Sequence, residues 1–191
     1  VTPFVYVEFK GQTSINLSYL LVNDEVFRST ELKNVNRFRI NLNSRPMNEL
    51  SFNLGANIGD FIYRSSNPVV GTGHNVSASL QLKPTSQIDI SLSYTRANLK
   101  NKLNDELYFD GNIYRAVGIY QFTPEFFVRT ILQYNSFDKA FQLYPLISYK
   151  LNAFTTFFIG ATSYYQDFEG EYGFRNTEQQ YFIKLQYLIG I

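Results

Sequence analysis

Cysteine and tryptophan are absent from this chain of 191 residues, and histidine occurs once. Without cysteine there is no disulfide and no thiolate metal site. A single histidine excludes a multi-histidine metal centre, and no other set of side chains points to a cofactor. Long apolar runs are also missing. A membrane-spanning helix needs about 18 or more such residues, whereas the most apolar stretches, such as 20–22 and 157–159, are broken within a few positions. A helical membrane protein is therefore excluded. Charge of one sign is not in excess: the formal net charge is +1, so nucleic acid has no electrostatic support as a partner. No basic-then-apolar signal segment opens the chain. Val1 already stands in a strand-like pattern, so the expectation is a processed or partial chain whose amino-terminal part is missing.

What is present is aromatic side chains and alternation. There are 15 Tyr and 18 Phe, and apolar residues recur at every second position, the period of a strand with two unlike faces. Ile88, Ile90, Leu92 and Tyr94 oppose Gln87, Asp89, Ser91, Ser93 and Thr95. Tyr181, Ile183, Leu185 and Tyr187 oppose Phe182, Lys184 and Gln186. Ile15, Leu17, Tyr19 and Leu21 alternate with Ser14, Asn16 and Ser18. About eleven strands follow, over residues 1–10, 13–23, 30–45, 48–64, 72–83, 86–101, 107–122, 125–136, 140–151, 153–168 and 177–190. Most exceed the five or six residues usual in soluble sheets and suffice for a tilted membrane strand.

The connections alternate in length. Short ones fall at 10–13, 45–48, 83–86, 123–125 and 151–153, and longer ones at 23–29, 65–72, 100–106, 135–139 and 167–177. Short periplasmic turns and longer external loops are the pattern of outer-membrane barrels. Twelve of the 16 acids and eight of the 17 basic residues lie at the long-loop end, which leaves −4 there and +5 over the remainder. Aromatic residues gather near strand ends, as interfacial girdles do: Phe9, Phe122, Phe126, Tyr149 and Phe154 on the turn side, Tyr63, Tyr94, Tyr134 and Tyr165 on the loop side. The expected fold is all-β, a single antiparallel transmembrane β-barrel domain over residues 1–191. An odd strand count is unusual for such barrels, so these strands are expected to belong to a larger, even-stranded barrel. Pro145 cannot donate to a ladder, and a bulge or an unpaired neighbour is expected there. The rival reading is a soluble sandwich or can with its apolar face inward.

The run Tyr120–Phe137 (YQFTPEFFVRTILQYNSF) resembles the carboxyl-terminal barrel of a large Bacteroidota family known only as a domain of unknown function. Asn43-Ser44-Arg45-Pro46 and the strand–Lys-Pro-Thr–strand unit over 82–88 are similar too, so the resemblance extends over residues 30–191. The closing apolar strand, 181–191, fits it, although the last residue is Ile rather than the Phe of many such barrels. The resemblance implies an upstream carbohydrate-binding-like domain and further strands, and it brings no catalytic residues.

On this reading the protein sits in the bacterial outer membrane, in contact with lipid and lipopolysaccharide and inserted by the barrel-assembly machinery. Its expected role is a channel, or a membrane anchor within an outer-membrane complex linked to glycan or nutrient handling. One alternative is a scaffold that docks secretion or lipoprotein partners. Another is a hydrolase borne on the barrel with His74 near its rim, though no catalytic set accompanies that histidine. The charged residues expected to line the lumen are Glu8, Lys10, Arg37, Arg39, Lys83, Asp89, Arg115, Arg129, Lys150 and Lys184. Eight of these ten are basic, which favours anionic or polar solutes, unless the charges satisfy one another inside a plugged barrel. Asp167, Glu169 and Glu171, spaced two apart, offer oxygen ligands to a cation or a face to a partner, with a solvated acidic loop as the plainer reading.

Overall fold

The computed structural model describes residues 1–169 and 173–189 and, among them, consists of strands and their connections. Eleven strands run in chain order: β1 (Phe4–Phe9), β2 (Thr13–Phe27), β3 (Thr30–Met47), β4 (Leu50–Tyr63), β5 (Val69–Thr85), β6 (Ile88–Asn101), β7 (Leu107–Gln121), β8 (Phe126–Asn135), β9 (Ala140–Asn152), β10 (Thr155–Asp167) and β11 (Phe174–Tyr187). They form one sheet in which every strand neighbours the next, from β1 at one end to β11 at the other. Such an antiparallel meander needs only hairpin connections. The chain divides into two compact units, Val1–Leu80 with Tyr94–Asn112, and Gln81–Ser93 with Ile113–Ile191.

In the first unit the register carries the sequence alternation across strands. Glu8 pairs with Ser14, Ser14 with Asn43 and Asn43 with Asn53; the neighbouring row joins Val7, Ile15, Leu42 and Leu54. A slip of one residue would exchange the two faces, so four strands in agreement fix one polar and one apolar side. The second unit repeats this. Phe126–Tyr149, Val128–Ile147 and Leu132–Leu143 share the apolar face, while Arg115–Gln133 and Gln133–Gln142 share the polar one.

The apolar face is not a core. Among the described residues only Leu32, Val35, Ile62 and Leu99 are buried hydrophobics. Large apolar side chains stand exposed along the strands instead, among them Phe38, Leu54, Ile58, Leu92, Leu132, Ile147 and Ile159, and Ile183 at 72%. A soluble sandwich would bury these residues. That rival is not the structure formed.

Strand positions follow expectation closely, with one main difference, and Pro145 has the unpaired neighbour expected of it. The longer loop expected over 23–29 is mostly strand, because β2 runs on to Phe27 and a two-residue turn, Arg28-Ser29, joins it to β3. Both turn residues have positive φ, 48° and 64°, as a type I′ hairpin requires, but neither is the Gly or Asn that usually announces one. The extension is irregular, with register shifts on either side of Asn23 and positive φ at Val22 and Asn34. At Pro145 the ladder keeps its register. Pro145 pairs with Thr130 on β8, whereas on β10 pairing lapses between Gly160 and Ser163 and then resumes in phase. The proline costs one bond and adds no residue.

Gly59 is where β4 departs from ideal geometry. Its φ is +134°, and a Cβ there would collide with the Asn36 carbonyl oxygen and lie 3.0 Å from Arg37 Cα. Gly59→Ala is expected to cost at least about 2 kcal/mol. Gly118→Ala, on a strand with open space around the new Cβ, should change stability by no more than about 0.5 kcal/mol. Urea unfolding of the two variants side by side measures the difference.

Candidate functional site

Chemistry on this sheet is confined to its polar face and the strand ends. In the first unit Arg37 and Arg39 come from the odd positions of β3. Arg39 Nε donates to Asn57 Oδ1 at 2.8 Å. Arg37 donates through Nε and Nη2 to the backbone carbonyl of Asp60, at 3.0 and 2.7 Å, and its guanidinium stacks 4.0 Å from the Phe61 ring centroid. Glu8 lies on the same face, opposite Ser14. Lys10, expected beside it, falls instead in the turn after β1, because the strand stops at Phe9.

In the sequence Asp60 is one acid among several at the loop end; in the fold it is the hub of this unit. It is 5% exposed. Its carboxylate accepts from Lys102 Nζ at 2.9 and 3.0 Å, from the Asn36 N–H at 3.1 Å and from Thr72 Oγ1 at 3.4 Å. Asp60 follows Gly59, whose φ of +134° turns the backbone there, and no side-chain pattern announces such a conformation. The four buried apolar residues, Leu32, Val35, Ile62 and Leu99, lie toward the same loop end of the unit. His74, the lone histidine, lines a cavity of about 350 Å³ there with Phe61, Ile62 and Leu99. Among the described residues it makes no hydrogen bond to an acid or hydroxyl that would activate it.

The second unit carries a continuous polar track across four strands. Arg115 Nη1 donates to Gln133 Oε1 at 3.0 Å, and Gln133 Nε2 to Gln142 Oε1 at 3.3 Å. Tyr144 Oη lies 3.0 Å from the same Gln142 oxygen and 2.9 Å from Tyr164 Oη. Lys83 and Asp89 form an ion pair at 3.2 Å, and Gln81 also donates to Asp89. Arg129, Lys150 and Lys184 complete the set on this face. Among the described residues none of the three is ion-paired, although Lys184 Nζ sits 5.9 Å from the Phe158 ring centroid. Nine of the ten residues thus stand on strands, Lys83 and Asp89 among them as an ion pair, and Lys10 falls in a turn.

The acidic loop is occupied by the chain itself. Glu169 pairs with Lys139, and the Glu169 N–H donates to Asp167 Oδ1 at 3.0 Å. Glu171 lies outside the described residues. No cluster of three potential ligand side chains stands among the described residues.

On the apolar face of the second unit, aromatic rings gather at both strand ends. Tyr120, Phe122, Phe126 and Tyr149 associate at the turn end, with centroid separations of 4.5, 4.9 and 6.3 Å. Tyr114, Tyr134 and Phe174 do so at the loop end, at 6.4 and 6.3 Å, beside Phe141 and Tyr165. Between Phe126 and Tyr134 lie eight residue steps of β8, about 27 Å of strand at roughly 3.4 Å each.

These features define a class: an all-β antiparallel meander with one exposed apolar, aromatic-edged face and one polar face. No protein-family model matches the chain, and no curated protein matches it. Among solved structures it is similar to one described as the NanC porin structure in a rhombohedral crystal form. The identity is 16%, over 98% of this chain and 92% of that one, with a TM-score of 0.41. Likeness of that degree leaves the reading to the chain's own geometry.

Asp60→Ala is expected to cost about 1–3 kcal/mol, since it strands the Asn36 N–H in a buried site. Lys102→Met should cost less, about 1 kcal/mol or below, because half of the lysine side chain is exposed and its pairing is screened. Thermal unfolding of both variants gives the order.

Proposed function

We propose that this chain forms the wall of an outer-membrane β-barrel, its apolar face against lipid and its polar face lining an aqueous lumen that passes polar and anionic solutes. The observation that carries this reading is the exposed apolar face. Water would oppose rows such as Tyr181, Ile183, Leu185 and Tyr187, exposed at 63–77%, at roughly 25 cal/mol per Å² of apolar surface, whereas acyl chains accept them. Strands are the alternative to helices in hydrocarbon, because each backbone group left unpaired costs several kcal/mol there.

Girdle spacing supports the same placement. A strand length of about 27 Å, tilted by roughly 40°, spans about 20 Å of depth, close to the apolar band of about 25 Å in such barrels. The basic excess on the polar face, with Arg115, Arg129, Lys150 and Lys184 unpaired by acids among the described residues, favours anions. The resemblance of Tyr120–Phe137 to Bacteroidota barrels agrees with the location and adds glycan or nutrient handling as the finer proposal.

The chain reconstituted in planar bilayers is expected to conduct, with a reversal potential in a salt gradient that marks preference for anions. A chain that stays monodisperse without detergent and ignores liposomes overturns the reading. Leu92→Arg, on the lipid side, should cost about 2–4 kcal/mol near the midplane, and Ser91→Arg, on the polar side, far less. Unfolding in liposomes measures both.

A further inference from the structure

Four arginines on these strands are matched with an acceptor, and Arg45 at the turn end of β3 is exposed to solvent. Arg37 has the Asp60 carbonyl, Arg39 has Asn57, Arg96 has Asp110 and Arg115 has Gln133. Arg129 differs. Its Nε is buried and has no hydrogen-bond partner, and among the described residues no acid pairs with its guanidinium.

The register shows which side chains surround it. On the polar face Arg129 pairs with Ile119 of β7 on one side and Leu146 of β9 on the other. The row continues through Gly160 and Phe182. A Cβ at Gly160 would collide with the Phe182 ring, so that ring covers the backbone where a polar side chain could have stood. The adjoining row toward the loops holds Val117, Ile131 and Tyr144, and Tyr144 is committed to Gln142 and Tyr164. The row toward the turns holds Gln121, Phe127, Ser148, Phe158 and, at β11, Lys184. A cation thus stands in an apolar row with its donors unspent and a second cation one row away.

Buried donors in folded proteins have partners, and one without needs an explanation. A guanidinium offers a planar fork that matches two oxygens of one group, and apolar surroundings strengthen that pairing. We propose, resting on the lumen reading above, that Arg129 is the contact point of an oxyanion site on the polar face of β8. Its ligand is a carboxylate or phosphate whose uncharged part packs against Ile119, Leu146 and Phe182, with Lys184 adding long-range attraction. A halide, which cannot bridge the fork, would bind there no better than elsewhere on the wall.

The full chain in detergent micelles tests this through the side-chain Nε–Hε resonances of its arginines. The Arg129 signal is the one lost in Arg129→Lys. Titration with sodium phosphate or sodium acetate is expected to move it saturably, and sodium chloride at equal ionic strength is not; the two oxyanion arms separate phosphate from carboxylate as the preferred ligand. An Arg129 signal that follows the chloride curve in both arms overturns the site. In bilayers, the oxyanion concentration that half-blocks the current should rise at least about tenfold in Arg129→Gln, the loss that one charge-assisted hydrogen bond carries. Lys10→Gln, in the turn, should match the parent. Equal block in the Arg129→Gln and parent channels overturns the site while the pore reading stands. A parent chain that never conducts rejects the pore reading, and the resonance titration then decides Arg129 by itself.

Discussion

Backbone pairing is the constraint on which the rest of this molecule depends. A strand satisfies its N–H and C=O groups only through neighbours, so each of the eleven must sit beside the next in a fixed register. Once two strands are in register, the period of two sorts every side chain onto one of two faces. The sequence tolerates few breaks in this ladder. Pro145 removes a single donor and leaves the phase intact, because β9 and β10 resume pairing at Leu143 and Ser163. The register shifts fall toward strand ends, around Asn23 and Tyr164 on the loop side and at Ser44–Met47 and Thr155 on the turn side.

Given that sorting, the two faces are stabilised in opposite ways. The apolar face gains nothing in water and is suited to lipid, with bulky rings massed at both strand ends and aliphatic Val128, Leu132, Ile147 and Ile159 between them. The polar face is held by lateral hydrogen bonds between neighbouring strands, such as Asn53 to Ser79 at 3.0 Å and the track from Arg115 to Tyr164. Each such bond is worth about 1 kcal/mol. Their chief effect is to pin side chains that would otherwise move freely along the wall.

Much of this was legible in the residues because period-two alternation over more than ten positions has no competing reading. The eleven-strand count, the shared face of Arg37 and Arg39 in the first unit and that of Arg115, Arg129, Lys150 and Lys184 in the second follow from parity alone. What parity does not carry was missed. Arg28-Ser29 forms a tight turn without a glycine or asparagine, so the segment 23–29 looked like loop. Asp60 became a buried hub through the backbone of Gly59, whose φ leaves no mark in a pattern of side chains. Leu32, Val35, Ile62 and Leu99 read as ordinary strand residues, although near the loop end they are the ones water does not reach. Lys10 shows the limit of extrapolating a strand by one residue: the alternation continues into a position where the chain has already turned.

Counting charges on the polar face as one reservoir overstates what it offers. Arg37 and Arg39 spend their donors on a backbone carbonyl and an amide, Arg115 on another amide, and Lys83 is neutralised by Asp89. The basic excess that a passing anion would meet is therefore local, carried by Arg129, Lys150 and Lys184 on β8, β9 and β11, where Ile119, Leu146, Phe158 and Phe182 supply the intervening surface. Charge set among apolar side chains acts with greater strength than charge in a hydrated wall, because less water stands between it and its ligand. If the polar face lines a lumen, as proposed, its preference among solutes depends on which cations the neighbouring strands have left without an acceptor.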